Sequence, residues 1–342
     1  GGKAWMDWEP ALRNREQKAL EHAAAAYKEE IEFWKSLQYL FFEQWKALRE
    51  YANEAGLQII GDLPIYVSLD SVDVWAHPEL FQLDENKVPR EVAGCPPDGF
   101  SADGQLWGNP LFRWDEMKKD NYTWWTKRIK AMRELYDIIR IDHFRGFDSY
   151  YAIPAKDKTA KNGKWKQGPG MDLFNQLEKK LGKLPIIVED LGFLTDSVRK
   201  LLKDSGFPGM KVIQFAFDSR EGSDYLPHTY TSHCVVYTGT HDNATLKQWY
   251  EELDDKERMK EIMKGLGYTG ENLVEDMLAY TLECDAVISI VPLQDLLGYG
   301  KEARINLPGT VGPHNWSYKL ASFDDYQNQI QIIQKMLKKA KR

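Results

Sequence analysis

Three acids, each placed at the end of a short apolar run, are the residues of this chain best suited to chemistry. Asp142 follows Ile138-Ile139-Arg140-Ile141, Glu189 follows Ile186-Ile187-Val188, and Asp242 sits in Thr240-His241-Asp242-Asn243 just beyond Cys234 to Thr238. Side chains alternate across a strand, so Arg140 and Asp142 project to one face while Ile139 and Ile141 project to the other. A guanidinium beside a carboxylate favours its charged form, which suits a nucleophile. Glu189, at the end of a buried run and next to Asp190, meets burial and like charge, both of which raise a carboxyl pKa and suit a proton donor. One carboxylate that attacks and one carboxyl that donates are what cleavage of a glycosidic bond requires, and a third acid can hold hydroxyls of a distorted ring. His241 stands next to Asp242, able to donate to such a ring. The competing readings are a structural ion pair at Arg140–Asp142, and a divalent metal held by His143, His241, Asp142 and Asp242. The chain has no His-x-His strand pair, no HExxH helix and no Gly-x-Ser-x-Gly, which disfavours metal hydrolysis and a serine nucleophile.

The elements that must carry these acids alternate strand and helix. Six strand-like runs begin at about residues 57, 138, 185, 210, 234 and 285, the fourth spanning Met210 to Phe217, with helical patterns at Trp124 to Leu135, Met171 to Leu181 and Thr195 to Ser205. Short apolar strands between helices argue for a parallel sheet, open or closed into a barrel. Asp62, Asp142, Glu189 and the Thr240 group each follow a strand, and a barrel gathers all its strand C-termini into one mouth. An open sheet would use one switch point, and no GxGxxG fingerprint accompanies any strand. The expected fold is therefore an α/β barrel, with six strands of the eight that a (β/α)8 barrel needs. Residues 10 to 55 show a helical stripe of Leu20, Ala23, Tyr27, Ile31, Trp34, Leu37 and Phe41, read as core-facing. Residues 67 to 114 lose periodicity and read as a long aromatic-bearing loop, and Lys156 to Gly170 as a solvated basic loop without the ending of a P-loop.

Composition narrows the partners. The 45 Lys and Arg against 52 Asp and Glu leave a net charge of −7, which disfavours nucleic acid. Twelve Trp and seventeen Tyr exceed what the core needs and supply flat faces with polar edges for a partly wet ligand. Cys95, Cys234 and Cys284 are far apart with no CxxC spacing, so neither disulfides nor a zinc ribbon is expected, and a reducing compartment is the default. No run approaches the roughly 18 apolar residues of a membrane helix, and no membrane association is expected.

Six stretches together carry a family resemblance. Gly61-Asp62-Leu63-Pro64-Ile65-Tyr66-Val67, Pro96-Pro97-Asp98 through Trp107-Gly108-Asn109-Pro110, Arg140 to Gly146, Val188-Glu189-Asp190-Leu191-Gly192, Gly239 to Asn243 and Arg304-Ile305-Asn306-Leu307-Pro308-Gly309 resemble the 4-α-glucanotransferases, the amylomaltases or disproportionating enzymes of glycoside hydrolase family 77. The match runs in the family's order from about Gly2 to Trp316.

The resemblance implies an α-amylase-type (β/α)8 barrel and a retaining transferase that moves α-1,4-glucan segments between maltooligosaccharides or glucans, through a covalent glycosyl-aspartate. It implies Asp142 as nucleophile, Glu189 as acid/base and Asp242 as transition-state stabiliser. Arg140, His143 and His241 would contact the reactive glucose, and Asp62, Asp98, Gln105, Trp107 and Asn306 would line neighbouring subsites. It implies no metal, no organic cofactor and a cytoplasmic location. The expected organisation is a helical portion at 1–56, a catalytic barrel portion at 57–320 bearing strands 3 to 8 with the insertion 67–114, and a C-terminal helix at 321–342. Residues 95 to 114 would cover the mouth and exclude water. Family members carry a further N-terminal portion supplying the opening strands, so this chain would be a fragment, or one of two polypeptides completing a barrel. A glucan-binding fragment without turnover and a hydrolase of the same clan are the alternatives.

Overall fold

The computed structural model describes residues 2–97, 101–192, 194–217 and 230–342. Asp98 lies outside the described residues. The chain forms two compact units, residues 1–207 and 208–342.

The first unit opens with three helices, α1 (Pro10–Arg13), α2 (Gln17–Ala26) and the 27-residue α3 (Lys28–Glu54), which lead into strand β1 (Ile60–Leu63). Between β1 and strand β4 (Ile138–Ile141) lie α4 (Val72–Ala76), β2 (Glu91–Cys95), β3 (Gln105–Pro110), α5 (Trp114–Lys119) and α6 (Thr123–Leu135). After β4 come β5 (Ser149–Pro154), β6 (Lys164–Gln167), α7 (Met171–Leu181), β7 (Ile186–Val188) and α8 (Asp196–Ser205).

Strands β1, β4 and β7 form a parallel sheet in that order. Its register sets Asp62 opposite Arg140 and Ile141 opposite Val188, which brings the polar ends of the three strands to one edge. The alternation is clear at β4, where Ile139 and Ile141 are fully buried. They join an aromatic core of Phe112, Trp125, Phe144, Phe147 and Phe174, each large side chain contributing about 1.5–3 kcal/mol on burial. Gly61 is dictated by Tyr136, whose ring lies where a Cβ on residue 61 would have to go.

The second unit holds β8 (Gly209–Val212), β9 (Cys234–Tyr237) and β10 (Ile288–Ile290), a parallel sheet in the order β10-β9-β8. Its helices are α9 (Ile213–Ala216), α10 (Leu246–Glu251), α11 (Lys256–Gly265), α12 (Leu273–Glu283), α13 (Leu293–Leu296) and α14 (Asp324–Lys339). Among the described residues no helix is long and apolar enough to cross a membrane.

The six expected strands are all present, and the structure corrects four other expectations. The segment 67–114 is not a structureless loop: β2 and β3 belong to an antiparallel sheet of order β3-β2-β5-β6. The basic stretch Lys156 to Gly170 contributes β6 to the same sheet, with Tyr151 paired to Trp165. The run from Met210 stops being a strand at Val212 and turns into α9. The stripe along 10–55 does not face a core, since no residue of α2 or α3 is buried and Tyr27, Trp34, Leu37 and Phe41 are exposed. Helix α3 docks through the C-terminal continuation of that face, where Trp45 stacks on Phe41 at 6.0 Å. Trp45 donates to Leu135 O, and Arg49 donates to Asp137 and to the Arg133 and Glu134 carbonyls.

Candidate active site

In the first unit the strand ends converge as the alternation requires. Arg140 Nη1 donates to Asp62 Oδ1 at 2.7 Å and to Asp142 Oδ1 at 3.1 Å, one guanidinium nitrogen shared by two carboxylates from adjacent strands. Burial works against the Arg140 charge, but Asp62 and Asp142 outweigh it and hold the guanidinium protonated, above its usual range. The charge is thus fixed beside Asp142 and favours its carboxylate form.

Glu189 experiences the reverse. Burial first, and then the charge of Asp142, push its carboxyl up to about 7, against the opposing pull of Arg140 and of the Leu191 amide; Asp190 adds the smallest push. The like charge that matters most is therefore Asp142, across the sheet, and not the sequence neighbour Asp190. Two backbone amides clasp the carboxyl: His143 N–H donates to Oε2 at 2.8 Å and Leu191 N–H to Oε1 at 2.6 Å. His143 occupies the left-handed region at φ 52°, ψ 50°. Burial, and then Arg145, push its imidazole down to about 3, so the ring is neutral. Its Nε2 is buried without a hydrogen-bond partner among the described residues.

Trp107, from β3, meets the His143 ring edge-on at 4.8 Å, and its Nε1 donates to Gln105 Oε1. Gln105 and Trp107 thus stand together, with Trp107 against His143. The structure adds Tyr66, whose ring lies 6.2 Å from Trp107 and stacks on Phe112. Sequence reasoning quoted Tyr66 in a motif without giving it a role, because its contact partners are more than 40 residues away in the chain.

In the second unit His241, Asp242 and Asn306 form their own cluster. Asn306 Nδ2 donates to Asp242 Oδ1 at 2.6 Å, and His241 Nε2 lies 3.5 Å from Asp242 Oδ2. Arg304 ties the two segments together, donating to the Asp242 carbonyl and to Asn306 O. Asn243 Oδ1 accepts from the Thr240 amide and hydroxyl, which closes the turn that presents Asp242. Trp316 lies over His241 at 5.0 Å and is two-thirds exposed. Beneath the turn, buried Asp295 accepts from Thr238 Oγ1 and from the Leu246 amide. Arg304 was visible in the sequence as part of a motif. Asp295 and Trp316 gave no signal of this proximity.

A carboxyl raised to about 7 beside a carboxylate that accepts from a protonated guanidinium, on neighbouring parallel strand ends, is the equipment of the paired-carboxylate class of glycosidic-bond enzymes. The family model described as 4-alpha-glucanotransferase matches residues 1–324, and the chain belongs to that family, glycoside hydrolase family 77. It is 46% identical over 318 residues to the 4-alpha-glucanotransferase of Clostridium butyricum, covering 92% of this chain and 65% of the relative. Against the enzyme of the same name from Streptococcus pneumoniae the figures are 46% identity, 93% of this chain and 63% of the relative. The chain therefore spans slightly less than two thirds of the length of these relatives. Among solved structures, amylomaltase from Streptococcus agalactiae in complex with acarbose superposes with a TM-score of 0.95 at 40% identity, over 100% of this chain and 69% of that one. Amylomaltase from Corynebacterium glutamicum, at 19% identity and a TM-score of 0.76, shares the fold.

Proposed function

We propose that this chain carries the reacting groups of a retaining 4-α-glucanotransferase acting on maltooligosaccharides and α-1,4-glucans. The observation that carries the reading is the divergence of two neighbouring carboxyls: Arg140 donates to Asp142 and favours its anion, while burial and Asp142 itself raise the Glu189 carboxyl to about 7. In the first step an Asp142 oxygen bonds to the anomeric carbon as the glycosidic C–O bond breaks, and the Glu189 proton passes to the departing oxygen. In the second, an acceptor hydroxyl gives its proton to Glu189 and attacks the same carbon, releasing Asp142. One glycosidic bond is broken and one is made. The neutral His143 ring, with its Nε2 unpartnered among the described residues, suits a sugar hydroxyl. Asp242, steered by His241 and Asn306, is assigned to stabilising the oxocarbenium-like transition state, and Asp62, Asp98, Gln105 and Trp107 to flanking subsites. The complete fold we infer is an α-amylase-type (β/α)8 barrel. The thiols Cys95, Cys234 and Cys284, none in a disulfide among the described residues, fit a cytoplasmic setting.

A separate segment completing the barrel belongs to the same proposal, on two observations from the first unit. Strand β1 pairs on one edge with β4 and on the other with no described strand. On α3, Phe33, Leu40 and Tyr51 are exposed on the side away from the docked Trp45 and Arg49, with exposed Leu37 and Leu48 on the flank between. A helix leading into a strand with a free edge is half of a βαβ unit, and a strand supplied in parallel to β1 would bury both features.

The test is incubation with maltotriose, followed by separation of products by length. A transferase gives glucose and a ladder of longer maltooligosaccharides with little growth in reducing ends, and Asp142→Asn and Glu189→Gln abolish it. Steady release of reducing ends identifies a hydrolase. Maltotriose binding without redistribution, in protein supplied with the completing segment, identifies a binding fragment.

A further inference from the structure

We propose that His143 is a positioning residue for Glu189 that acts through its main chain: a left-handed backbone at 143 aims consecutive amides at residue 189, and close packing around the imidazole keeps the backbone there. The inference rests on the reading of Glu189 as the acid/base. His143 N–H donates to Glu189 Oε2 at 2.8 Å, and the next amide, Phe144 N–H, donates to the Glu189 carbonyl at 3.0 Å. Successive N–H groups converge in this way when a left-handed residue borders a helical turn, and the concavity they form favours negative charge. Here the turn is the 3-10 helix Phe144–Phe147. A residue other than glycine in this region is strained, and such strain persists only where the surroundings impose it. The surroundings are Trp107, edge-on to the imidazole at 4.8 Å, and Gly146, where an added Cβ would lie 3.2 Å from His143 Cδ2 and 2.7 Å from Ile65 Cδ1. Trp107 thereby has a task besides any contact with sugar.

The chemical consequence follows from what Glu189 must do twice per cycle. When it gives up its proton, charge appears on oxygens that already accept amide hydrogen bonds, so the anion is met by fixed dipoles and nothing has to move. The charged groups facing Glu189 are Asp142 and Asp190, which raise its pKa, and Arg140 and Arg145, which act in the opposite direction; the His143 ring carries no charge. A misdirected His143 amide removes a bond to the anion, and the Glu189 titration moves up. Removing only the ring admits water and moves it down, so the two effects differ in sign.

The experiment is a carbon-13 NMR titration of the Glu189 carboxyl in the free protein, its signal assigned by its loss in Glu189→Gln. His143→Gly and His143→Asn tolerate the left-handed backbone; His143→Val opposes it, and His143→Ala opposes it more mildly should Val prevent folding. Gly146→Ala disturbs the packing while leaving His143 in place. The Val or Ala variant and Gly146→Ala should raise the midpoint by about 0.5–1 pH unit, the size of one lost hydrogen bond, while Gly and Asn leave it in place or lower it. The basic limb of transfer from maltotriose should move with it. Equal midpoints throughout, or a fall in the Val, Ala and Gly146→Ala variants, would overturn the proposal. Because the titration is read without turnover, a protein that shows these shifts but makes no ladder refutes the transferase reading and leaves the positioning role standing.

Discussion

At Glu189, burial and the Asp142 charge compete with a guanidinium and backbone amides, and burial wins. The sign of the resulting linkage is fixed by which state keeps the proton. The carboxyl titrates near 4.5 when unperturbed and near 7 in the folded chain. Between those values the native state holds a proton that the unfolded state has lost, so stability declines as pH rises through the window, by up to about 3 kcal/mol. Glu189→Gln has no charge to bury. Urea unfolding at pH 5 and pH 8 should show the parent losing stability relative to this variant by about 2–3 kcal/mol between the two. A parent as pH-insensitive as the variant would contradict the burial argument. The alternation rule was enough to place Arg140 beside Asp142 from the sequence. It could not show that the same nitrogen also holds Asp62, because strand register is a property of the fold. Nor could it show the left-handed His143, since neither a glycine nor an asparagine marks the position.

At the level of elements, the parallel strands were legible because each is a short continuous apolar run between turn formers. The antiparallel sheet was not. Strands β2 and β3 read Glu-Val-Ala-Gly-Cys and Gln-Leu-Trp-Gly-Asn-Pro, in which glycine and proline mask a pairing whose register shifts between Val92 and Gly94, with β5 covering the other side of β2. Helix α3 misled in the other direction: its stripe is correctly periodic, but the N-terminal residues of that face stay exposed and the helix docks by hydrogen-bonding anchors at its C-terminal continuation. The principal anchor is Arg49, whose guanidinium makes two bonds to Asp137 Oδ1 and two to carbonyls at the end of α6. Asn53 and the Ile59 amide add bonds to Asp137 Oδ2. Arg49→Ala leaves an incompletely partnered carboxylate and two carbonyls, and should destabilise the first unit by about 2–3 kcal/mol in denaturant unfolding. Burial opposes the Asp137 charge, but the Ile59, Asn53 and Arg49 bonds overcome it and hold the carboxyl below its usual range. The stability gained from Asp137 is therefore present above the unfolded carboxyl range and lost as pH falls through the folded one, and Arg49→Ala should flatten that acid limb.

For the whole molecule, the balance is set by what the first unit leaves uncovered. Leu40 is 52% exposed and Tyr51 73%, on the side of α3 away from the docked Trp45 and Arg49, and the neighbouring β1 pairs on its other edge with no described strand. Scattered surface aromatics need no explanation, whereas a continuous stripe beside an open strand edge is an association surface. A net charge of −7 slows indiscriminate aggregation but does not cover an apolar stripe. The chain by itself should therefore self-associate with concentration in sedimentation velocity, and Leu37→Lys with Leu40→Lys should shift it toward monomer while leaving its helix content unchanged. Supplied with the remaining segment of a family member such as the Clostridium butyricum relative, the parent should form a one-to-one complex, and the double lysine variant should weaken that complex at least tenfold. The lysines sit far from the acids in sequence, one on the side of α3 away from its docked residues and one on the flank. A variant that still forms the complex at full strength would mean that the completing segment, if it binds, does so through the β1 edge alone, and α3 would need another partner.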